Sequence, residues 1–551
     1  MTGDDTPPEP GTLVPVLIAG AGPTGVTAAT LLARHGVRSL TVDPHHDVYP
    51  RPRAVHLDDE VARILQRLGV AEEFAAISRP VPGMRLVDGA LRTIAEFRRD
   101  RIGGVNGWPQ ANLFDQPELE WLLRSNLRRH PLAELRGGTE VVRIEQVAHG
   151  RPAPVRVLLR DLASGSTYTV WTHALLGCDG ANSTTRRAVG ARMLDLRFEE
   201  RWLVVDVRHA GRLSDWDGVQ QVCDPHRAAT YMRVGEDRHR WEFRMRPREA
   251  EADLTAPDAL SRLLAPWTRD VPWERLHLLR HAEYTFRAQV ADRWRRGRVF
   301  ILGDAAHLTP PFIGQGLGAG LRDAANLAWK LALVLGEGAD ERLLDTYQAE
   351  RRHHVTRMIR LAVTVGFAMT GGQDRAASLR RLLLAGACRV PGLTDAALRT
   401  TSPRLPAGPL VRRPRVGGCR DLAGTLVPQP WLTVDGRRRR LDELLGESFA
   451  VLGDGPVHPA LASLARRLGA PVIDVSAGPQ ARWMRRAGVG AVLVRPDRVV
   501  MATAPVPPRR GRPGAEIVRD AATWLPLLPA DRTRPAPSPV PRHAYAHPDP
   551  T

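Results

Sequence analysis

Three stretches of this chain hold residue types whose spacing can do chemistry. The first is Gly20-Ala21-Gly22-Pro23-Thr24-Gly25, a GxGxxG loop with Asp43 about 20 residues further on. Gly20 permits a tight turn, Gly22 lets backbone N–H groups approach a pyrophosphate, and Gly25 lets a helix pack closely on a strand. Asp43 is then placed to accept bonds from a ribose. This pattern asks for a dinucleotide and leaves FAD and NAD both open. The second stretch, Cys178 to Arg186 (CDGANSTTR), again sets an acid, Asp179, before a glycine, with Ser183 as a helix N-cap. The third begins at Gly303-Asp304 and runs through Pro310-Pro311 into Gly314, Gly316, Gly318 and Gly320. Such a junction aims one carboxylate and several backbone N–H groups at a polar ligand beside a helix N-terminus. Arg51 and Arg53 are natural phosphate partners. His307, with no partner legible, reads as a structural histidine, and no dedicated base stands out. Arg227, Tyr231, Arg233 and Arg244 are the candidates to meet an anionic or phenolic substrate.

These residues need elements to hold them. Val14 to Ala19 is an apolar run suited to a buried strand. The helix after it keeps Val26, Ala29, Leu32 and Ala33 on one face and ends at Gly36. Ser39 to Val42 is a second strand, which completes a βαβ unit around the glycine loop. His173 to Cys178 and Val299 to Leu302 are further buried strands. The pattern predicts a helix from about Gly320 onward, another around 61–68, one over 112–123 with Pro117 in its first turn, and one through 343–366. Residues 80–110 read as strands with turns, and 141–147 with 155–159 as a hairpin. From 198 to 288 bulky and polar residues alternate, as in a mixed sheet that lies over the nucleotide part as a substrate lid. Its aromatic residues Trp202, Tyr231, Trp241, Phe243, Tyr284 and Phe286 read as core. A Pro/Arg-rich linker at 403–416 leads to a smaller α/β unit at 417–530 and a disordered tail at 531–551.

The totals bound the function. A chain of 551 residues, 43% hydrophobic and 25% charged, holds two or three globular domains. The formal net charge of +18 raises the question of nucleic acid. However, Lys330 is the only lysine and the arginines are spread along the whole chain, which reads as coding bias rather than a basic face. No nucleic acid is expected as a partner; an anionic small molecule gains more from the balance. Cys178, Cys223, Cys388 and Cys419 form no CxxC or zinc spacing, so no metal is expected and a reducing, cytoplasmic setting fits. The acidic, Pro-rich start is unlike a signal peptide, and no apolar run approaches the roughly 18 residues of a membrane span.

GAGPTG at 20–25, CDGANSTTR at 178–186 and GDAAHLTPP at 303–311 with GQGLGAGLRDAANLAWKL behind it stand in a fixed order. Together they resemble the group A flavoprotein monooxygenases. Within that family the likeness runs toward 3-(3-hydroxyphenyl)propionate hydroxylases and bacterial polyketide hydroxylases. It covers about 10–390, through YPRPRAVHLDDE, CDPHRA, WEFRMRP and LLDTYQAERR. The resemblance implies an α/β Rossmann-like FAD-binding domain at 12–197 and 288–402, with 80–110 assignable to either side. It also implies a substrate-binding domain at 198–287 and a C-terminal thioredoxin-like domain. It implies that Gly20, Gly22, Pro23, Thr24 and Gly25 hold the FAD pyrophosphate, Asp43 the adenosine ribose and Arg53 a phosphate. Gln116 would lie near the flavin, Gly303-Asp304 at the ribityl chain, and Pro310, Gly314 and Gly316 along the isoalloxazine. Asp179 would serve FAD and NAD(P)H. The implied activity uses NAD(P)H and O2 to hydroxylate a phenolic acid or aromatic polyketide through a flavin C4a-hydroperoxide, with the flavin and no assigned side chain carrying the chemistry. Baeyer–Villiger or epoxidising oxygen insertion, and a flavin-binding scaffold without turnover, are the alternatives. The protein is expected as a monomer or homodimer. Gly318 departs from the family, where Asn is common, and the C-terminal unit, without CxxC, is expected to be redox-silent.

Overall fold

The computed structural model describes residues 13–49, 54–146, 154–224, 226–269, 271–370, 402–413, 422–434, 437–476, 478–506 and 513–529. Two compact units emerge. One holds Val37–Leu331 with Met1–Ala33 and Arg342–Pro406, the other Ala407–Thr551 with Arg34–Gly36 and Ala332–Glu341. Arg53 and the tail 531–551 lie outside the described residues, and of the expected linker only 403–413 is described.

The first unit is mixed α/β with several sheets. One sheet has a parallel core in the order Val299–Ile301, Thr167–Gly177, Leu13–Ala19, Ser39–Val42 and Ala133–Arg136. Val299–Ile301 and the last four residues of Leu13–Ala19 and of Thr167–Gly177 are buried apolar runs without alternation because both faces are covered, whereas Ala133–Arg136 is half-buried. The hairpin of Thr139–Gln146 and Val155–Asp161 adds an antiparallel edge. Three of these parallel strands lead into the three chemical stretches, Leu13–Ala19 into Gly20, Thr167–Gly177 into Cys178 and Val299–Ile301 through Leu302 into Gly303.

The second sheet is almost entirely antiparallel. Its order is His307–Leu308, His277–Ala291, Met193–Arg208, Arg238–Arg244, Ala229–Val234, Val219–Val222, Gly83–Val87 and Thr93–Arg98. Side chains alternate across it. On one face Leu203, Val205, Val207, Tyr231, Trp241 and Phe243 pack with Leu260, Leu264 and Trp267 of the helix Pro257–Thr268 into an apolar core. The other face is described with the site.

Two expectations shift. The segment expected as a helix from Asn112 opens as a strand, Asn112–Phe114, which pairs with His56–Leu57 and Ser78–Pro80. The helix starts only at Gln116 and runs to Leu127, with Pro117 in its first turn. The helix expected from about Gly320 starts four residues earlier, as Gly316–Gly336. Its glycines mislead the eye because their helical cost is real, but contact requires one of them. A Cβ on Gly320 would stand 2.2 Å from Thr24 Oγ1 and 3.2 Å from Gly303 Cα.

In the second unit Val472–Asp474, Ala450–Gly453, Val489–Val494 and Val500–Pro505 form a four-stranded sheet with one parallel pair. The helices Pro459–Arg467, Pro479–Arg486 and Ala515–Trp524 accompany it. Among the described residues no helix is long and apolar enough to cross a membrane.

Candidate active site

A cavity of about 1040 Å³ lies within the first unit and is bordered by residues of all three stretches. That is the upper end of the size range for pockets that take one drug-sized ligand. Gly20, Gly22, Pro23, Thr24, Asp43, Gln116, Asp179, Asp304, Gly314 and Gly316 all border it. Gly25, Gly303 and Pro310 do not, and act behind the wall. A Cβ on Gly25 would lie 1.9 Å from Gly20 O, so this glycine allows the helix to seat on the strand. Gly303 turns the chain at φ +59°, and Pro310 leads into the short 3-10 turn Pro311–Ile313.

The glycine loop passes a direct test of fit to a dinucleotide. Gly20 sits at φ +101°, and a Cβ there would be 2.3 Å from Cys178 O, so the residue is fixed by the protein itself. A Cβ on Gly22 meets nothing within 4 Å. Its free side opens where a pyrophosphate needs backbone. Asp43 Oδ2 accepts from Ala21 N at 2.7 Å and Oδ1 from His45 N at 2.8 Å, so the carboxylate braces the loop while facing the cavity. Asp179 is more occupied than the sequence suggested. Its oxygens accept from Ser183 Oγ, Thr185 N and Thr185 Oγ1, which ties it into the N-terminus of the helix Thr184–Val189.

The helix Gln116–Leu127 supplies, beside the expected Gln116, two residues the sequence reading passed over, Glu120 and Arg124. Gln116, Glu120 and Arg124 recur at helical spacing and all border the cavity. Gln116 Oε1 accepts from Ala54 N at 2.6 Å and its amide donates to Glu120 at 2.7 Å. Among the described residues the buried Nε of Arg124 has no hydrogen-bond partner, while its Nη1 donates to His46 O at 3.5 Å. The polar stripe Gln-Glu-Arg at i, i+4, i+8 was the available signal.

Beneath Asp304 lies a support that only the fold reveals. Asp323 accepts from Gly303 N at 3.1 Å, His307 Nε2 at 2.8 Å and Arg351 Nε at 2.8 Å, all buried. Burial would raise its pKa, but Arg351 and His307 outweigh burial and hold it below the usual range. His307 therefore does have a partner, and its role is to fix this loop. A second buried set explains Gly318. Arg322 pairs with Asp58 at 2.6 Å and with Glu60 at 2.9 Å, and takes Gln315 Oε1 at 2.9 Å. A Cβ on Gly318 would meet Arg322 Nη1 at 2.7 Å and Val61 Cγ2 at 2.9 Å. Arg322 occupies the room that a side chain at 318 would need.

The substrate candidates are corrected. Arg227, Tyr231, Arg233 and Arg244 do not border the cavity. Tyr231 and Arg233 are odd-numbered positions of the strand Ala229–Val234, whereas Thr230 and Met232 of that strand face the space. Tyr231 instead bonds His239 Nδ1 at 2.9 Å within the apolar core. Arg227 is held by Glu249 at 2.6 Å and Arg244 by Glu200 at 3.1 Å. The cavity face of the sheet carries Trp202, Met232, Arg240, Glu242, Tyr284 and Phe286. Trp202, Tyr284 and Phe286, expected as core, thus line the space, while Tyr231, Trp241 and Phe243 are core as expected.

Residues 13–362 match the model of the FAD binding domain family. The chain belongs to that family. FAD is therefore its cofactor, and residues 424–508 of this flavoprotein match the HcaD C-terminal domain. It is 35% identical to the 3-(3-hydroxy-phenyl)propionate/3-hydroxycinnamic acid hydroxylase of Burkholderia cenocepacia (strain HI2424), over 88% of this chain and 93% of the relative. It is 32% identical to the probable NADH-specific resorcinol 4-hydroxylase of Rhodococcus jostii (strain RHA1), over 91% of this chain and 97% of the relative. Among solved structures it is similar to aklavinone-11 hydroxylase in complex with FAD and aklavinone. That likeness has a TM-score of 0.76 and 25% identity, over 93% of this chain and 99% of the other. The flavoprotein is an enzyme of the hydroxylase group.

Proposed function

We propose that this flavoprotein uses NAD(P)H and O2 to hydroxylate a phenolic aromatic compound held in the 1040 Å³ cavity. One observation carries the reading: the glycine loop, Asp43, Asp304 and the first turn of the helix Gly316–Gly336 border the same space as an aromatic sheet wall. FAD, when bound, supplies the redox and oxygen-transfer chemistry. The backbone at Gly20 and Gly22 holds the pyrophosphate, and Asp43 accepts from the ribose. Asp304 takes the ribityl hydroxyls, and the loop from Pro310 to Gly316 lies along the ring system. Gln116 lies near the flavin, and Arg124 adds a positive charge to the cavity wall. Arg53 is proposed as a phosphate partner on its place in YPRPRAVHLDDE alone. Trp202, Tyr284 and Phe286 exclude water and present a flat apolar surface to an aromatic ring.

The domain reading is that 198–287 forms the substrate side; the pairing of Val219–Val222 with Gly83–Val87 supports adding the 83–98 hairpin to it. The C-terminal unit is read as a thioredoxin-like appendage without redox chemistry, because it contains no CxxC. The working compartment is read as the cytoplasm. The deciding experiment is to measure bound FAD and NAD(P)H oxidation with a panel of phenols. The expected result is phenol-stimulated oxidation with a product that has gained one oxygen atom. Folded, colourless protein that takes up no FAD would overturn it.

A further inference from the structure

The sheet wall of the cavity carries one carboxyl group that no donor among the described residues reaches. Glu242 lies in the strand Arg238–Arg244, borders the cavity, and is only 8% exposed. Among the described residues it has no hydrogen-bond or ion-pair partner. Two of its polar neighbours on the same wall, Gln221 and Arg240, are already engaged. Gln221 donates its amide to Ala229 O at 3.0 Å and accepts from Thr230 Oγ1 at 2.9 Å. Arg240, two residues along on the same face, is clasped by Asp206 through Nε at 2.7 Å and Nη2 at 2.9 Å. Asp206 also takes Arg280.

A buried carboxyl without a donor is unfavourable. Burial pushes the Glu242 pKa up, against the opposing pull of Arg240. The missing donor has to come from whatever enters the cavity. The local charge count gives the rest: two guanidinium groups, Arg240 and Arg280, face two carboxyl groups, Asp206 and Glu242. Both guanidinium groups are already committed to Asp206, so a substrate carboxylate brought beside Glu242 gains no new cation from this set.

We propose that Glu242 sets the substrate class of this enzyme: it accepts a hydrogen bond from a hydroxyl group of an uncharged aromatic, and disfavours aromatic acids. This rests on the hydroxylase reading and makes it narrower. A site built to hydrogen-bond a hydroxyl discriminates strongly, and like charges across a buried contact add to that discrimination.

The test titrates the flavin-loaded protein with resorcinol and with 3-(3-hydroxyphenyl)propionate, following the flavin absorbance, and then assays both for oxygenated product. Wild type is expected to bind resorcinol at least about tenfold more tightly than the acid. Glu242→Gln, which keeps the shape and removes the charge, is expected to shift that ratio toward the acid by about tenfold, with flavin content and melting temperature retained. Tighter binding of the acid by wild type overturns the proposal, and that measurement needs no variant. A ratio unmoved in Glu242→Gln, with product still formed, overturns the role of Glu242 and leaves the hydroxylase reading standing. No oxygenated product from any phenol with wild type removes both.

Discussion

Gly20 and Gly22 are two residues apart and do opposite work. A methyl at Gly20 collides with Cys178 O at a φ that L-residues rarely adopt, so Gly20→Ala should cost about 3 kcal/mol or more of stability. A methyl at Gly22 enters open space, so Gly22→Ala should melt within about 0.5 kcal/mol of its parent yet bind FAD more weakly. Chemical denaturation paired with flavin titration separates the two, and equal losses of stability would contradict the assignment. Asp304→Ala should raise the Kd for FAD about tenfold or more; a variant that purifies as yellow as its parent would remove Asp304 from the site. Asp59 gives a pH signature. Burial, with Asp58 beside it, pushes its pKa up to about 7. The native state then keeps a proton that the unfolded chain releases from roughly pH 4 upward, so this group lowers stability as pH rises to 7. Asp59→Asn should therefore open a stability gain between those pH values, on the order of 3 kcal/mol by pH 8. A gain that does not vary with pH would refute it.

At the scale of elements, the helix Gly316–Gly336 depends on its closeness to the glycine loop. Gly320→Ala should lose about 1–3 kcal/mol and bound flavin, because the new Cβ runs into Thr24 Oγ1. Adding Thr24→Ala should restore part of both; no rescue in the double variant would mean the contact is unimportant. This scale also shows what sequence can and cannot give. The βαβ unit around Gly20 and the strand before Gly303 were legible because periodicity, glycines and acids agree locally. The substrate arginines were misplaced because a period of 2 tells which residues share a face, not which face looks into the cavity. Tyr231 and Met232 are adjacent and end on opposite sides for that reason. His307 looked partnerless because Asp323 lies beyond a loop and about two helical turns away, and Arg351 comes from another helix.

The molecule as a whole holds several carboxylates in buried arginine clasps. Arg322 outweighs burial at Asp58, Arg240 and Arg280 at Asp206, and Arg351 at Asp323, so all three pKa values are lowered. Their contribution is complete above the ordinary carboxylate pKa of about 4 and is lost as pH falls through the lowered values. Flavin release and unfolding should therefore come together in acid below about pH 4, read by flavin and tryptophan fluorescence; flavin loss well before unfolding would argue against these clasps. The sole lysine has a practical consequence of its own. Lys330 is fully buried against Glu350 and Asn326. An amine-acylating reagent should thus leave every side chain of the native protein untouched and mark position 330 only once the core has opened. The fold has in effect a single built-in chemical reporter of its own unfolding, readable by mass spectrometry in mixtures where no optical signal survives.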